Sequence, residues 1–342
     1  MAEQKRDGLL LAVVGAGTLI GVYAGVRNRR KQYDLRGRVV LITGGSRGLG
    51  LVMAREFARE GARLALCARD ANELERARAD LVGRGATQVL TVPCDVTDRA
   101  QVDEMIRIVR DHYERIDVVV NNAGVIQVGP VEVMTLEDYE EAMRAHFWAP
   151  LYTTLAVLPE MRRRGEGRII NVTSIGGKIS VPHLVPYSAS KFALVGLSEG
   201  LRAELKKDGV LVTTVCPGLM RTGSPRNADF KGQHRAEYAW FSISDSLPIT
   251  SMSATRAARQ IVAACKRGEA EVILSIQAEL AALFHGIFPG VTADMLALVN
   301  RFLPEAGGIG SRSAKGKDSE SKVSPSLLTA ATERAARRNN EM

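Results

Sequence analysis

The strongest constraint in this sequence is an alternation. Seven short runs rich in β-branched residues, VVLIT (39–43), RLALC (63–67), QVLTVP (88–93), VVVN (118–121), RIINV (168–172), LVTTV (211–215) and EVILS (271–275), are separated mostly by longer stretches of 3.6-residue periodicity such as 70–82, 98–113 and 187–207. Strand and helix taking turns imply a parallel sheet covered on both faces. The expectation is therefore an α/β, doubly wound Rossmann domain with a seven-stranded parallel sheet over residues 34–275. Ligands of such a sheet belong at the carboxyl ends of its strands.

At the end of the first run stands TGGSRGLG, residues 43–50. Gly44, Gly48 and Gly50 would let the backbone turn tightly and approach a pyrophosphate resting on the positive end of a helix that starts near Gly48. A lone glycine pattern is weak. Here Cys94-Asp95-Val96 follows the third run, Asn121-Asn122-Ala123-Gly124 the fourth, and Tyr187-Ser188-Ala189-Ser190-Lys191 comes later. Tyr187 and Lys191 are four apart, one helical turn, so they share a face. Free tyrosine is a poor proton donor at neutral pH, and a nearby ammonium is expected to lower its pKa.

These motifs in this order resemble the short-chain dehydrogenase/reductase family over roughly residues 35–275. The resemblance implies that Ser174 holds the substrate oxygen, that Tyr187 is the general acid/base, and that Lys191 supports it and binds the nicotinamide ribose. It implies cofactor contacts from Thr43, Gly44, Ser46, Arg47, Gly48, Leu49, Gly50, Arg69, Asp95, Val96, Asn122, Ala123, Gly124, Tyr187, Lys191, Pro217, Gly218 and Thr222. Asn121 is assigned to stabilising the sheet. One departure stands out: where many members carry an asparagine in a distorted helix, this chain has His146 in Ala145-His146-Phe147-Trp148. It keeps the backbone carbonyl of the family's proton relay but puts the helix distortion in doubt, and it is read either as a relay member or as a packing residue.

Charge selects the cofactor. An acid at the end of the second strand would accept ribose hydroxyls and repel a 2′-phosphate, but this chain has Ala68-Arg69, with Arg47 in the glycine loop. Both point to NADP(H), against the alternative that each merely covers a helix surface.

The ends of the chain carry its basicity. Of a formal net charge of +8, residues 1–38 contribute eight Lys/Arg against three acids and 305–342 seven against five, leaving +1 for the rest. With 5% aromatic residues, nucleic acid is not an expected partner. Gly8–Val26 is 19 residues without a charge, long enough as a helix (about 28 Å) to span a bilayer. The cationic RNRRKQYDLRGR follows, which places the catalytic domain in the cytoplasm. A decoy dinucleotide fingerprint in VVGAGTLIG, a cleavable signal peptide and a buried core helix are the competing readings of 8–26. Gly17, Gly21 and Gly25 form a small-xxx-small row that would let two anchors pack. Four widely spaced cysteines read as core residues in a reducing compartment, and neither they nor the five histidines suggest a metal site.

Residues 217–253 are long and irregular, where the family places its mobile substrate lid. Phe230, Tyr238, Trp240, Phe241 and Leu247, with Ile175, Ile179, Val181 and Leu184, suggest a lipophilic pocket, or only pins for the lid. The apolar stretch 276–304 is expected to lie in a membrane interface or to contact another subunit. Residues 305–342 read as a mostly disordered basic tail. The expected activity is interconversion of a ketone or aldehyde with an alcohol on a lipid, steroid-like or retinoid-like molecule. The alternatives are acyl-chain carbonyl reduction in lipid metabolism and a non-catalytic NADP-binding sensor or scaffold. A homo-oligomer is expected by resemblance alone.

Overall fold

The structure is a computed structural model and describes residues 32–247, 250–321, 323–326 and 329–342. The expected spanning segment, Gly8–Val26, lies outside the described residues. All seven expected strands form: β1 (Val39–Thr43), β2 (Arg63–Ala68), β3 (Val89–Pro93), β4 (Val118–Asn121), β5 (Gly167–Val172), β6 (Val210–Pro217) and β7 (Glu271–Leu274). They make one parallel sheet in the order β7-β6-β5-β4-β1-β2-β3. The order reverses between β1 and β4, and at that switch point the loops part to leave a crevice.

Helices α1 (Gly48–Arg59), α2 (Ala71–Gly83), α3 (Arg99–Tyr113), α4 (Leu136–Met143), α5 (Ala149–Arg164), α6 (Val185–Leu205), α7 (His234–Ser246) and α8 (Ala254–Arg267) accompany the sheet. On one face Val39, Leu41, Val119, Ile169 and Val212 meet Val102, Met105 and Val109 of α3 and Val157 and Met161 of α5. On the other, α1 packs against α8. Local chemistry starts the helices: Asp70 accepts from Glu73 N–H, Asp98 from the amides of Ala100 and Gln101, and Ser253 from Arg256 N–H. Helix α1 has no such side-chain cap and no acid in its first turn.

A buried polar line ties the sheet to its helices. Thr153 on α5 donates to Asn121 Oδ1 (2.5 Å), Asn121 donates to Asn171 (2.8 Å), Asn171 donates to Ser198 on α6 (3.1 Å), and Thr214 donates to the same hydroxyl (2.7 Å). Each member sits inside an apolar core, so losing one partner would leave another unpaired at a cost of about 1–3 kcal/mol.

Two expectations fail. Residues 217–253 are not one irregular loop: Leu219–Arg221 pairs with Ser251–Ser253, and the 13-residue α7 fills the centre. Nor are residues 305–342 disordered where described. Ala314–Lys315 pairs antiparallel with Asp229–Phe230, and Ala330–Arg338 forms a helix, here α11. The Ser, Gly and Thr content that reads as solvated instead permits close contact. Ser324 bonds Ser242 (2.7 Å), Thr332 bonds Ser246 (2.5 Å), and a Cβ on Gly316 would stand 1.9 Å from Pro225 O. Between lid and tail, α9 (Ile276–Ile287) and α10 (Pro289–Asn300) form a pair bent by 119°. Leu280, Leu283, Ile287, Met295 and Leu298 are exposed on it. Among the described residues no single helix is long and apolar enough to cross a membrane.

Two glycines test this account. Gly209, at φ +74° before β6, would place a Cβ 1.9 Å from Gly165 O, whereas nothing lies within 4 Å of a Cβ on Gly196 inside α6. Left-handed strain and overpacking together should make Gly209→Ala cost about 2–4 kcal/mol, while Gly196→Ala should gain about 0.5–1. Thermal unfolding of both variants checks the signs; a neutral Gly209→Ala would contradict the packing described.

Candidate active site

The glycine loop between β1 and α1 is shaped by close approach. Gly44 and Gly48 take φ of +62° and +56°, and a Cβ on Gly50 would come within 2.0 Å of Gly44 O, so only bare backbone closes this turn. The loop is stitched to the end of β4. Thr43 Oγ1 accepts the amides of Asn122 (3.0 Å) and Ala123 (3.1 Å), and Asn122 Nδ2 donates to the carbonyls of Thr43 and Gly44 (3.1 and 3.2 Å). Leu49 and Ser46 are buried beside it. No side chain caps α1, and its first amide, that of Gly48, donates to Asn339 O (2.9 Å); the tight turn and the positive helix end suit a dinucleotide's pyrophosphate.

Other predicted cofactor residues stand around this cradle. Asp95 accepts from Thr97 N–H (3.0 Å) and Oγ1 (2.8 Å), which fixes the turn carrying the buried Val96. Pro217 ends β6, Gly218 N–H donates to Leu274 O (3.2 Å), and Thr222 is buried with its hydroxyl on Ser224 (2.8 Å). Arg69 is exposed beside α2. Arg47 is not free for a phosphate: Glu73 takes its guanidinium at 2.7 Å and the Ser46 hydroxyl at 2.9 Å. The sequence reading missed Glu73, which lies in the first turn of α2, although an acid five residues beyond Ala68 was a visible signal.

Ser174, Tyr187 and Lys191 come together where β5 ends. Ser174 opens a 3-10 turn, its Oγ accepting Gly176 N–H (3.0 Å), and a Cβ on Gly176 would touch the Tyr187 ring at 3.1 Å. Lys191 is buried, donates to Val172 O (3.1 Å) and holds its Nζ 5.6 Å from the Tyr187 ring centroid. The same Nζ lies 3.8 Å from a Cβ built on Gly124, which joins this centre to the cradle.

The electrostatics differ from the expectation that Lys191 lowers the phenol's pKa. Burial pushes Tyr187 up to about 12, the neighbouring Ser174 hydroxyl pulls the other way, and the buried Asp245 carboxyl on α7 raises it further. Burial likewise pulls Lys191 down to about 7 and pushes Asp245 up to about 8. Desolvation dominates here and drives Tyr187, Lys191 and Asp245 towards their neutral forms. Asp245 was also missed, because an acid within a lid carries no motif.

His146 resolves towards positioning. The helix is distorted here after all: Arg144–Trp148 is a π-turn between α4 and α5. His146 Nε2 accepts Val125 N–H (3.2 Å), so Nδ1 carries the proton and donates to Ser190 Oγ (2.7 Å), which donates to Tyr187 O (2.8 Å). Burial, then the Lys191 charge, hold the imidazole well below its usual pKa. Both nitrogens are occupied structurally, and the ring packs edge-on against Tyr187 at 5.4 Å.

The lid aromatics divide. Phe230, Tyr238 and Phe241 are buried against one another with centroids 5.4–5.9 Å apart and pin the lid. Trp240, Val181, Leu184 and Ile126 extend that cluster to Tyr187, giving the centre an apolar wall. The Trp240 indole and His183 both hold the buried Glu237 carboxylate (2.6 and 2.8 Å), locking α7 to the segment before α6.

Comparison with known proteins bears on this arrangement. The profile of the family described as short chain dehydrogenase matches residues 38–231. A Bos taurus protein named dehydrogenase/reductase SDR family member 7B is 32% identical over 84% of this chain and 88% of its own length. A Streptomyces violaceoruber protein, granaticin polyketide synthase putative ketoacyl reductase 1, is 40% identical over 54% of this chain and 68% of its own. Among solved structures, a short-chain dehydrogenase from Streptomyces avermitilis aligns with a TM-score of 0.67 and 30% identity, covering 78% of this chain and 98% of that one. With the glycine cradle, the β4 stitch and the Ser174–Tyr187–Lys191 centre on one scaffold, the chain belongs to the short-chain dehydrogenase family.

Proposed function

We propose that this protein is a membrane-anchored, NADP(H)-preferring reductase that interconverts a ketone or aldehyde and an alcohol on a lipophilic substrate. The observation that carries the reading is the convergence of Ser174, Tyr187 and Lys191 beside the glycine cradle, under an apolar wall. A bound nicotinamide supplies or accepts the hydride at the substrate carbon. Ser174 Oγ orients the substrate oxygen, and Tyr187 donates a proton to it in reduction and removes one in oxidation. Lys191 stands behind the phenol, and His146 fixes the loop at Gly124–Val125. The name of the Streptomyces violaceoruber relative supports carbonyl reduction and keeps acyl-chain ketones within the proposed substrate range.

Tyr187→Phe should lower turnover by at least about 10²–10⁴-fold while NADPH still binds. Steady-state rates on lipophilic ketones in detergent, with cofactor binding by titration, check this; a variant keeping most of its activity would sink the mechanism.

NADP(H) preference rests on Arg47 and Arg69, and a 2′-phosphate must draw Arg47 away from Glu73. Each lost charge-assisted contact should cost about 1.5–3 kcal/mol of NADPH binding and much less of NADH binding. The Arg47→Ala, Arg69→Ala double variant should lose its preference ratio, and an unchanged ratio would refute the assignment.

The membrane proposal rests on the uncharged Gly8–Val26 run with its cationic flank, helped by the exposed apolar faces of α9 and α10. The full chain should sediment with membranes and resist high salt and carbonate, and deletion of residues 1–30 should release it to a weaker attachment. A full-length protein soluble without detergent and with its N-terminus intact would defeat the localisation, with the catalytic domain on the cytoplasmic side as its companion claim.

A further inference from the structure

Residues 339–341 lie across the glycine cradle. Gly48 N–H, at the uncapped start of α1, donates to Asn339 O (2.9 Å). The Asn340 side-chain amide donates to Ser46 O (2.9 Å) and Glu73 O (3.0 Å), and its Oδ1 accepts from Arg76 (2.8 Å). Glu341 is buried, accepts Gly223 N–H at 2.6 Å, and places its other oxygen 3.0 Å from the position of a Cβ on Gly48. A carbonyl and a carboxylate thus stand at the positive end of α1, where phosphate oxygens would rest.

We infer that residues 339–341 are a built-in competitor of the dinucleotide, docked in its pyrophosphate cradle and displaced before the cofactor enters. The inference rests on the proposed reading of the cradle as the cofactor site. The contacts suit a seat that can be vacated. Helix α11 stays fixed by Thr332 on Ser246 and by Glu333 on Arg226 (3.3 Å), so only the chain beyond it has to swing. The turn at Asn340 has φ +60°, a left-handed conformation that asparagine accepts readily. The Glu341 carboxylate is buried against a single amide, so leaving for water relieves its desolvation.

Because the seat overlaps the pyrophosphate position that both dinucleotides share, removing it should help NADH as well as NADPH. The test titrates both cofactors into the full chain, a chain ending at Arg338, and full-length Glu341→Lys, which sets a cation at the helix end. Docking lowers apparent affinity by the undocked fraction, so both variants should bind each cofactor about tenfold more tightly. A readout on the unmodified chain accompanies this. The amide of Glu341, bonded to Ala336 O from beyond the end of α11, should exchange hydrogen faster when NADPH is added. Equal affinity in all three proteins, weaker binding in the truncated chain, or exchange unchanged by NADPH overturns the competitor. If no form binds either dinucleotide, the cofactor reading itself falls and takes the competitor with it.

Discussion

The rest of the molecule depends on the contact between the loop after β1 and the loop after β4. Thr43 Oγ1 receives two amides from beyond β4, and Asn122 returns its side-chain amide to two carbonyls of the glycine loop. Parallel strands leave their carboxyl-end loops free to diverge, and at a switch point they do so by topology. The stitch sets how far. It holds Gly44 and Gly50 in their backbone contact, aims the start of α1 into the crevice, and positions Gly124 against His146 and Lys191. The Thr153–Asn121–Asn171–Ser198–Thr214 line repeats the device one layer deeper, so α5 and α6 are keyed to β4, which carries one side of the cradle.

Burial is the second organising force, and it acts against charge. Tyr187, Lys191, His146 and Asp245 are enclosed with few counter-charges, and desolvation moves all four towards neutral forms. Burial thus holds the phenol neutral and weakens the charge of Lys191 beside it. Charge becomes cheaper when a polar ligand brings dipoles and an electrostatic partner into the space. Neutral His146 fits this economy. Its two nitrogens bridge Val125 and Ser190, so it supports the π-turn that the sequence left in doubt without adding a charge next to Lys191.

Much of the fold and of the centre was legible because the signals are local. β-branched runs gave seven strands, glycines marked the cradle, and Tyr187 and Lys191 announced themselves by helical spacing. What escaped was set by tertiary contact. Glu73 reaches Arg47 and Ser46 across a loop, and Asp245 becomes a site neighbour only because α7 packs against the start of α6. The tail failed for a different reason. Composition rules treat Ser, Gly and Thr as solvated, but small side chains also fit narrow seams, and Ser319, Ser324 and Thr332 are buried there.

That seam changes how the lid has to be understood. Ser242 and Ser246 of α7 bond Ser324 and Thr332, Arg226 reaches Glu320 and Glu333, and Asp229 holds Lys315. The lid is therefore the middle layer of three, with the apolar wall at Tyr187 beneath and the C-terminal segment above. A rigid displacement of α7 would have to break polar contacts on its outer side as well as the Glu237 lock on its inner one. Each outer bond is a neutral hydroxyl pair or a partly exposed ion pair, individually worth about 1 kcal/mol or less, whereas Glu237 is fully enclosed between His183 and Trp240. Displacing α7 thus costs least at the outer seam and at the ends of the helix, while the Glu237 lock keeps its centre in register with the reacting groups.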